Sequence, residues 1–359
     1  MGIKRGVSLY SYQQEEWFGR MTWREMLKEV ATNLDGATGI EIISEATIPH
    51  FPFPGEDFYQ EWLFEMARWG LEAVTMDVFP DPLQFRRDHV MNDREQAERL
   101  KMELRIASKM GFKNLRILGT PISVVELALP LAEELDVRIN QEIHAPATIR
   151  RPDNIDDSNP YARANAGKIM DIAEYIQKTG TRHYGLHPDF GIFKKEPPKV
   201  YMDYYFRCAG QEHWEEESKE TIERFRRCKT QNDEEELKEW AKKTYPKVFN
   251  NPANPFALEE LNHSFVPPED MKLIAPYIYV CHGKFMQMTE IEGMPGEYED
   301  KAIDYDGAIA VLKEIGFEGY IDSEYEGQRN QQDRGVEFLP NEIEEVRRHH
   351  KMLKRLIGE

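Results

Sequence analysis

Short β-rich runs alternate with amphipathic helical stretches along nearly all of this 359-residue chain, and few folds accept that rhythm. The strand candidates are RGVSLY (5–10), GIEIIS (39–44), LEAVTMDVF (71–79), NLRILG (114–119), VRINQEIH (137–144), HYGLHPD (183–189), IYVCHGK (278–284) and FEGYIDSE (317–324). Helical patterns fall near 22–34, 57–69, 92–110, 122–134, 162–179, 305–315 and 340–357. Thr22 with Glu25, and Ser123 with Glu126, fit the capping box, in which side chains satisfy the free N–H groups of a helix start. Gly111 and Gly316 stand where helices should stop, each just before a new strand. Eight β-then-α units without a second composition regime predict one (β/α)8 barrel spanning 1–359. A doubly wound open sheet is the rival, but no GxGxxG follows the first strand, which argues against a dinucleotide crevice.

One segment breaks the rhythm. Between the sixth and seventh strands, at about 195–265, lies a helical insertion rich in alternating charge. Its aromatics, Tyr201, Tyr204, Tyr205, Phe206 and Trp214, read as a surface to be covered. A βα loop of a barrel emerges at the catalytic end, so the insertion is expected to be a lid or a partner-docking element.

The rest of the composition narrows the partners. At 40% hydrophobic and 31% charged residues the chain reads as globular, with a large core. A net charge of −19 and a pI near 5.1 oppose nucleic acid and anionic lipid. Cys208, Cys228 and Cys281 form no CxxC, so neither a disulfide framework nor a zinc knuckle is expected. The N-terminal MGIKRGVSLYSY has no apolar stretch of signal-peptide length, and no run approaches a membrane span. A cytoplasmic location is the expectation.

Polar residues collect at the strand ends. Side chains alternate along a strand, so Glu142 and His144 of NQEIHAP share one face. His187 and Asp189 share a face on the sixth strand, His282 and Lys284 on the seventh, and Asp322, Glu324 and Glu326 on the eighth. Cys281 alternates to the opposite face and reads as packing. Glu142 and Asp189 are 47 positions apart, and His282 and Glu324 are 42 apart, each about one repeat of the chain. Carboxylates converging on one rim repel one another unless a cation joins them. Glu142, Asp189, His282 and Glu324 are therefore the expected ligands of a divalent ion. Their oxygen and nitrogen donors suit Mn²⁺, Mg²⁺, Co²⁺ or Zn²⁺.

That order of Glu, Asp, His and Glu on strands five to eight, with HGK on the seventh and GFEGYIDSEYEG on the eighth, resembles the xylose isomerase-like TIM barrels. These are sugar isomerases, ketose epimerases and related lyases, and the resemblance covers the chain apart from the insertion. It implies a (β/α)8 TIM barrel and the same four metal ligands, usually holding Mn²⁺. In the ketose epimerases a His follows the sixth-strand Asp by three, where this chain has Ile192. The extra His144 and the long sixth loop instead resemble the large (α) subunit of the C-glycoside deglycosidases. Those enzymes cleave the carbon–carbon bond between a 3-oxo sugar and its aromatic aglycone, and work with a small β-rich subunit.

The chemistry shared by such enzymes is removal of a proton next to a sugar carbonyl, with the metal as Lewis acid. A base with a pKa near neutrality is required, and His144 meets that need. Lys284, Glu326 and His187 are the expected sugar-binding residues, with His187 supporting Asp189. The early SLYSY could stack on a sugar or an aglycone, or be core. An isomerase or epimerase acting on a free sugar, and a non-catalytic sugar-binding protein, remain open alternatives.

Overall fold

The computed structural model describes residues 2–80, 82–83, 88–145, 147–150, 168–252, 256–262 and 266–359, the side chains of 231, 329 and 330 excepted. Eight of its strands form one parallel sheet: β1 (Lys4–Ser8), β2 (Gly39–Ile43), β3 (Glu72–Asp77), β4 (Asn114–Ile117), β5 (Arg138–Ile143), β6 (Tyr184–Pro188), β7 (Val280–Phe285) and β10 (Tyr320–Tyr325). Their order is β6-β5-β4-β3-β2-β1-β10-β7. Parallel bridges from Leu186 to Ile278 and from Asp189 to His282 join the two outer strands, so the sheet closes as a TIM barrel. A short antiparallel hairpin, β8 (Met288–Glu290) with β9 (Tyr298–Asp300), was not legible in the sequence.

Helices α1 (Trp23–Asn33), α2 (Glu56–Trp69), α3 (Asp93–Met110), α4 (Ile122–Leu135), α5 (Lys168–Thr179), α9 (Tyr305–Glu314) and α10 (Glu342–Ile357) flank the barrel strands in sequence. The start expected for α5, 162–167, lies outside the described residues. Thr22 and Glu25 make the expected capping box, and Asn92 and Glu95 make another. The Ser123–Glu126 box does not form. Pro121 occupies the N-cap and Ile122 the first helical position, which puts Ser123 inside the first turn. Gly111 caps α3 at φ 85°, a left-handed conformation open to glycine without a Cβ penalty.

The sequence 199–262 contributes α6 (Lys199–Cys208), α7 (Trp214–Phe225) and α8 (Gln231–Thr244). Phe206, Phe225, Ala241 and Val248 are fully buried there, in an apolar cluster separate from the barrel core. The aromatic run read as a surface to be covered is mostly internal. Phe206 packs edge-on to Tyr245 and Phe249, while Tyr201, Tyr204 and Trp214 are partly buried against the same cluster. Leu9 and Tyr12 of SLYSY belong to the barrel core.

A buried acid at the start of α10 carries a pH-dependent consequence. Glu342 Oε2 accepts the backbone N–H groups of Gln14 (3.0 Å) and Glu15 (3.2 Å). Burial is the largest influence on this carboxyl and, against those two N–H groups, pushes its pKa up to about 8. The folded protein therefore holds this proton more tightly than the unfolded chain does. The resulting stabilisation is complete below the ordinary carboxylate range and is lost as pH rises through about 8. Glu342→Gln, neutral at every pH, should raise the melting temperature at pH 8 by a few degrees more than at pH 5. Equal shifts at both pH values in a thermal melt would contradict this.

Candidate metal centre

The barrel interior is unusually polar, and every strand shapes it. β1 contributes absence: a Cβ on Gly6 would lie 1.9 Å from Asp322 Oδ1, so only glycine leaves room for that carboxylate. Glu41, Asp77, Arg116, Glu142, Asp189, His282, Lys284, Asp322 and Glu324 are all buried. Charges in such a place need partners.

The four residues expected to bind a metal are brought together. One donor atom from each of Glu142, Asp189, His282 and Glu324 lies within 4.8 Å of the others. His282 Nδ1 is 2.8 Å from Glu142 Oε1 and 3.4 Å from Glu324 Oε2. Its other nitrogen, Nε2, is 2.9 Å from Glu41 Oε2. A carboxylate on the far side of an imidazole is the arrangement that fixes the tautomer of a metal-binding histidine. Arg116 Nε sits 3.3 Å from both Glu142 Oε2 and Asp77 Oδ1.

These charges set the ionisation. Burial pushes the Glu142 carboxyl up, but Arg116 and then His282 outweigh it and hold the group well below the usual range. Burial would lower the His282 pKa, and Glu324, Glu41 and Glu142 reverse that and raise it well above the usual imidazole value. Asp77 and Asp322 are raised well above theirs, chiefly by burial. Six buried carboxyl groups, those of Glu41, Asp77, Glu142, Asp189, Asp322 and Glu324, thus face Arg116, Lys284 and the imidazole of His282, whose proton a divalent cation would displace. Glu142 Oε2, Asp189 Oδ2 and Glu324 Oε2 are buried and faced by ion-pair contacts from Arg116 and Lys284 in place of well-formed hydrogen bonds, contacts that a bound cation would take over. The donor set thus fits a hard or borderline divalent metal.

His144 lies just beyond the end of β5, with its side chain 38% exposed. Its Nε2 is 2.9 Å from Lys284 Nζ and 3.6 Å from Asp189 Oδ2, and its Nδ1 is 2.7 Å from the Ala145 carbonyl oxygen. An ammonium only donates and a carbonyl only accepts. Nδ1 therefore carries the hydrogen, and Nε2 presents a lone pair to the site. Lys284 Nζ reaches Asp189 Oδ2 at 2.6 Å, and Glu324 Oε2 and Glu326 Oε1 at 3.4 Å. Glu326 also receives the hydroxyl of Tyr201, from α6 of the insertion, at 3.4 Å.

His187, expected to bind sugar and support Asp189, is placed otherwise. It is fully buried, with its ring centroid 4.1 Å from that of His282, and neither ring nitrogen has a hydrogen-bond partner among the described residues. The ring forms floor beneath His282, because β6 points it inward one layer below Asp189. Cys281 is fully buried, and burial pushes its thiol up. Ile192 is buried in a tight turn after Asp189. Sequence reasoning missed Glu41, Asp77 and Arg116. The available signal was a lone charge inside each of the apolar runs GIEIIS, TMDVF and NLRILG, since strands of a parallel barrel are covered on both faces.

Comparison with known proteins places this geometry. No family model matches the chain. Over 366 residues it is 28% identical to a C-glycoside deglycosidase alpha subunit of Arthrobacter globiformis, covering 100% of this chain and 93% of that protein. Over 372 residues it is 25% identical to a 3'-dehydrocarminate deglycosidase alpha subunit of a Microbacterium species, covering 99% and 95%. The chain is thus similar, over nearly its whole length, to C-glycoside deglycosidase alpha subunits. Solved structures share its fold. An IolI protein with a bound zinc atom superposes with a TM-score of 0.56 at 11% identity, covering 99% of this chain and 98% of that one. A sugar phosphate isomerase/epimerase of Parabacteroides distasonis gives 0.53 at 13% identity, covering 99% and 96%. Among the described residues no helix is long and apolar enough to cross a membrane.

Proposed function

We propose that this chain is the catalytic alpha subunit of a C-glycoside deglycosidase, a metal-dependent lyase acting on a 3-oxo-C-glycoside. The observation that carries the reading is the lone pair of His144 Nε2 facing the Glu142–Asp189–His282–Glu324 cluster, in a chain that aligns end to end with such alpha subunits. A divalent ion held by those four residues, Mn²⁺ by preference, supplies Lewis acidity to the sugar oxygens.

His144 Nε2 accepts the proton from C2 of the 3-oxo sugar. The C2–H electrons form a C1–C2 double bond conjugated with the 3-oxo group, and the C1–aglycone bond breaks. Its electron pair leaves with the aglycone carbon, which takes up a proton. Lys284 and Glu326 flank the reacting sugar, where an ammonium and a carboxylate can hold its oxygens. Lys284 also donates to His144 Nε2, holding the imidazole with that atom turned toward the site.

The test is incubation of a 3-oxo C-glucoside with the purified chain and Mn²⁺, alone and with a candidate small β-rich subunit. Release of free aglycone by the pair supports the reading. Interconversion of free sugars without aglycone release would move the chain to the isomerases, and sugar binding without any turnover to the binding proteins.

The same proposal assigns the insertion, 195–265, to the mouth of the site as a lid or docking element. Tyr201 reaching Glu326, and Arg207 Nε and Nη2 each 2.9 Å from Asp333, support this. Replacing 199–262 by a short Gly/Ser linker should leave a folded barrel that binds metal, because the insertion has a core of its own. Turnover or assembly with the small subunit should be lost. Retention of both would make the segment dispensable decoration.

A further inference from the structure

On the outer side of β7 and β10, a run of hydrogen bonds leads from Arg5 to the backbone of Lys284, and its direction is forced. Arg5 Nη1 is 3.3 Å from His350 Nδ1, and His350 Nε2 is 2.9 Å from Ser323 Oγ. Ser323 Oγ is 2.8 Å from His349 Nδ1, and His349 Nε2 is 2.8 Å from the Tyr305 hydroxyl. That hydroxyl donates to the Lys284 carbonyl oxygen at 2.7 Å. Having given away its only proton, Tyr305 must accept from His349, so Nε2 of His349 carries the hydrogen. Nδ1 of His349 then accepts from Ser323. The oxygen of Ser323 receives the Nε2–H of His350, whose Nδ1 accepts from Arg5.

Neither end can exchange roles, since a guanidinium only donates and a carbonyl only accepts. The chain is therefore a strut with a fixed polarity and cannot act as a proton path. All five side chains are buried. Phe285 stacks on the His349 ring at 4.1 Å with 6° between planes. Even the glycine of HGK takes part. A Cβ on Gly283 would lie 3.3 Å from His349 Cε1 and 2.8 Å from Ile321 Cγ2, so the bare backbone lets the imidazole approach.

We infer that Tyr305 and His349 are positioning residues for the Lys284 ammonium. By pinning the Lys284 carbonyl they fix the point from which its side chain reaches Asp189, His144, Glu324 and Glu326. Only the kinetic arm of the test rests on the deglycosidase reading. In the full chain, ¹⁵N-histidine NMR should show His349 and His350 as neutral Nε2–H tautomers from pH 6 to 8. An Nδ1–H tautomer or a titration of either ring in that range overturns the strut. In Tyr305→Phe and His349→Phe, acetic anhydride followed by peptide mass spectrometry should modify Lys284, protected in the wild type, while other lysines react at unchanged rates. Wild-type protection of Lys284 in both variants overturns the positioning role, whatever the substrate proves to be. With a C-glycoside substrate, each variant should lose about 10–100-fold in kcat with little change in KM. The double variant should lose no more than either alone, and His349→Gln should recover part of the loss. Additive losses, or a change confined to KM, would also overturn it.

Discussion

Glu142→Gln and Asp189→Asn should each strip the protein of most of its divalent ion while leaving the barrel folded. Both exchanges keep size and remove one anionic donor from a cluster whose members lie within 4.8 Å of one another. The neighbours stay paired: Arg116 keeps Asp77 when Glu142 is neutral, and Lys284 keeps Glu324 and Glu326 when Asp189 is. Elemental analysis of the wild type after Mn²⁺ loading should give about one ion per chain, as a single four-ligand site requires. Each variant should retain less than about a tenth of that, given the 10–100-fold affinity losses that even outer partners of a metal site produce. A chelator should lower the wild-type melting temperature and leave that of the variants unmoved, because an ion that binds only the folded state stabilises it. Full metal content in both variants would refute the ligand assignment.

His144→Ala should abolish turnover without touching metal content or fold. The side chain sits past the end of β5, partly exposed, and its hydrogen bonds are to Lys284 and the adjacent Ala145 carbonyl. Among the described residues, its side chain contributes to neither apolar cluster. A positioned base contributes about 10²–10⁴-fold, and that is the expected fall in kcat with KM little altered. Comparing steady-state kinetics with the metal analysis on one preparation separates a lost base from a lost ion. Wild-type kcat would return His144 to the role of a bystander.

The barrel was legible because its strands and helices write two different periods into the chain, and because Gly111 and Gly316 mark where one gives way to the other. Glu142, Asp189, His282 and Glu324 were legible as a set, since period-two alternation puts each on the inner face at the end of its own strand. The interior beneath them was not. Glu41 and Arg116 come from β2 and β4, and nothing in a linear reading says that Glu41 meets His282 or Arg116 meets Glu142. Those pairings depend on how far round the barrel each strand lies. His187 shows the same limit in the other direction. Alternation put it on the correct face, but depth along the strand decides between rim and floor. In the insertion, aromatic composition could not distinguish an external patch from a private core, because both are built from the same residues.

The separation of the two apolar clusters has a consequence for how such a protein can change. The apolar side chains packed behind β5 and β7 belong to one cluster, and most of those that hold α6, α7 and α8 together belong to the other. On the proposed reading, a substitution inside the second would reshape what is admitted to the mouth, through Tyr201 and its neighbours, without loosening the groups assigned to the chemistry. Selectivity and reactivity are thereby free to drift at different speeds.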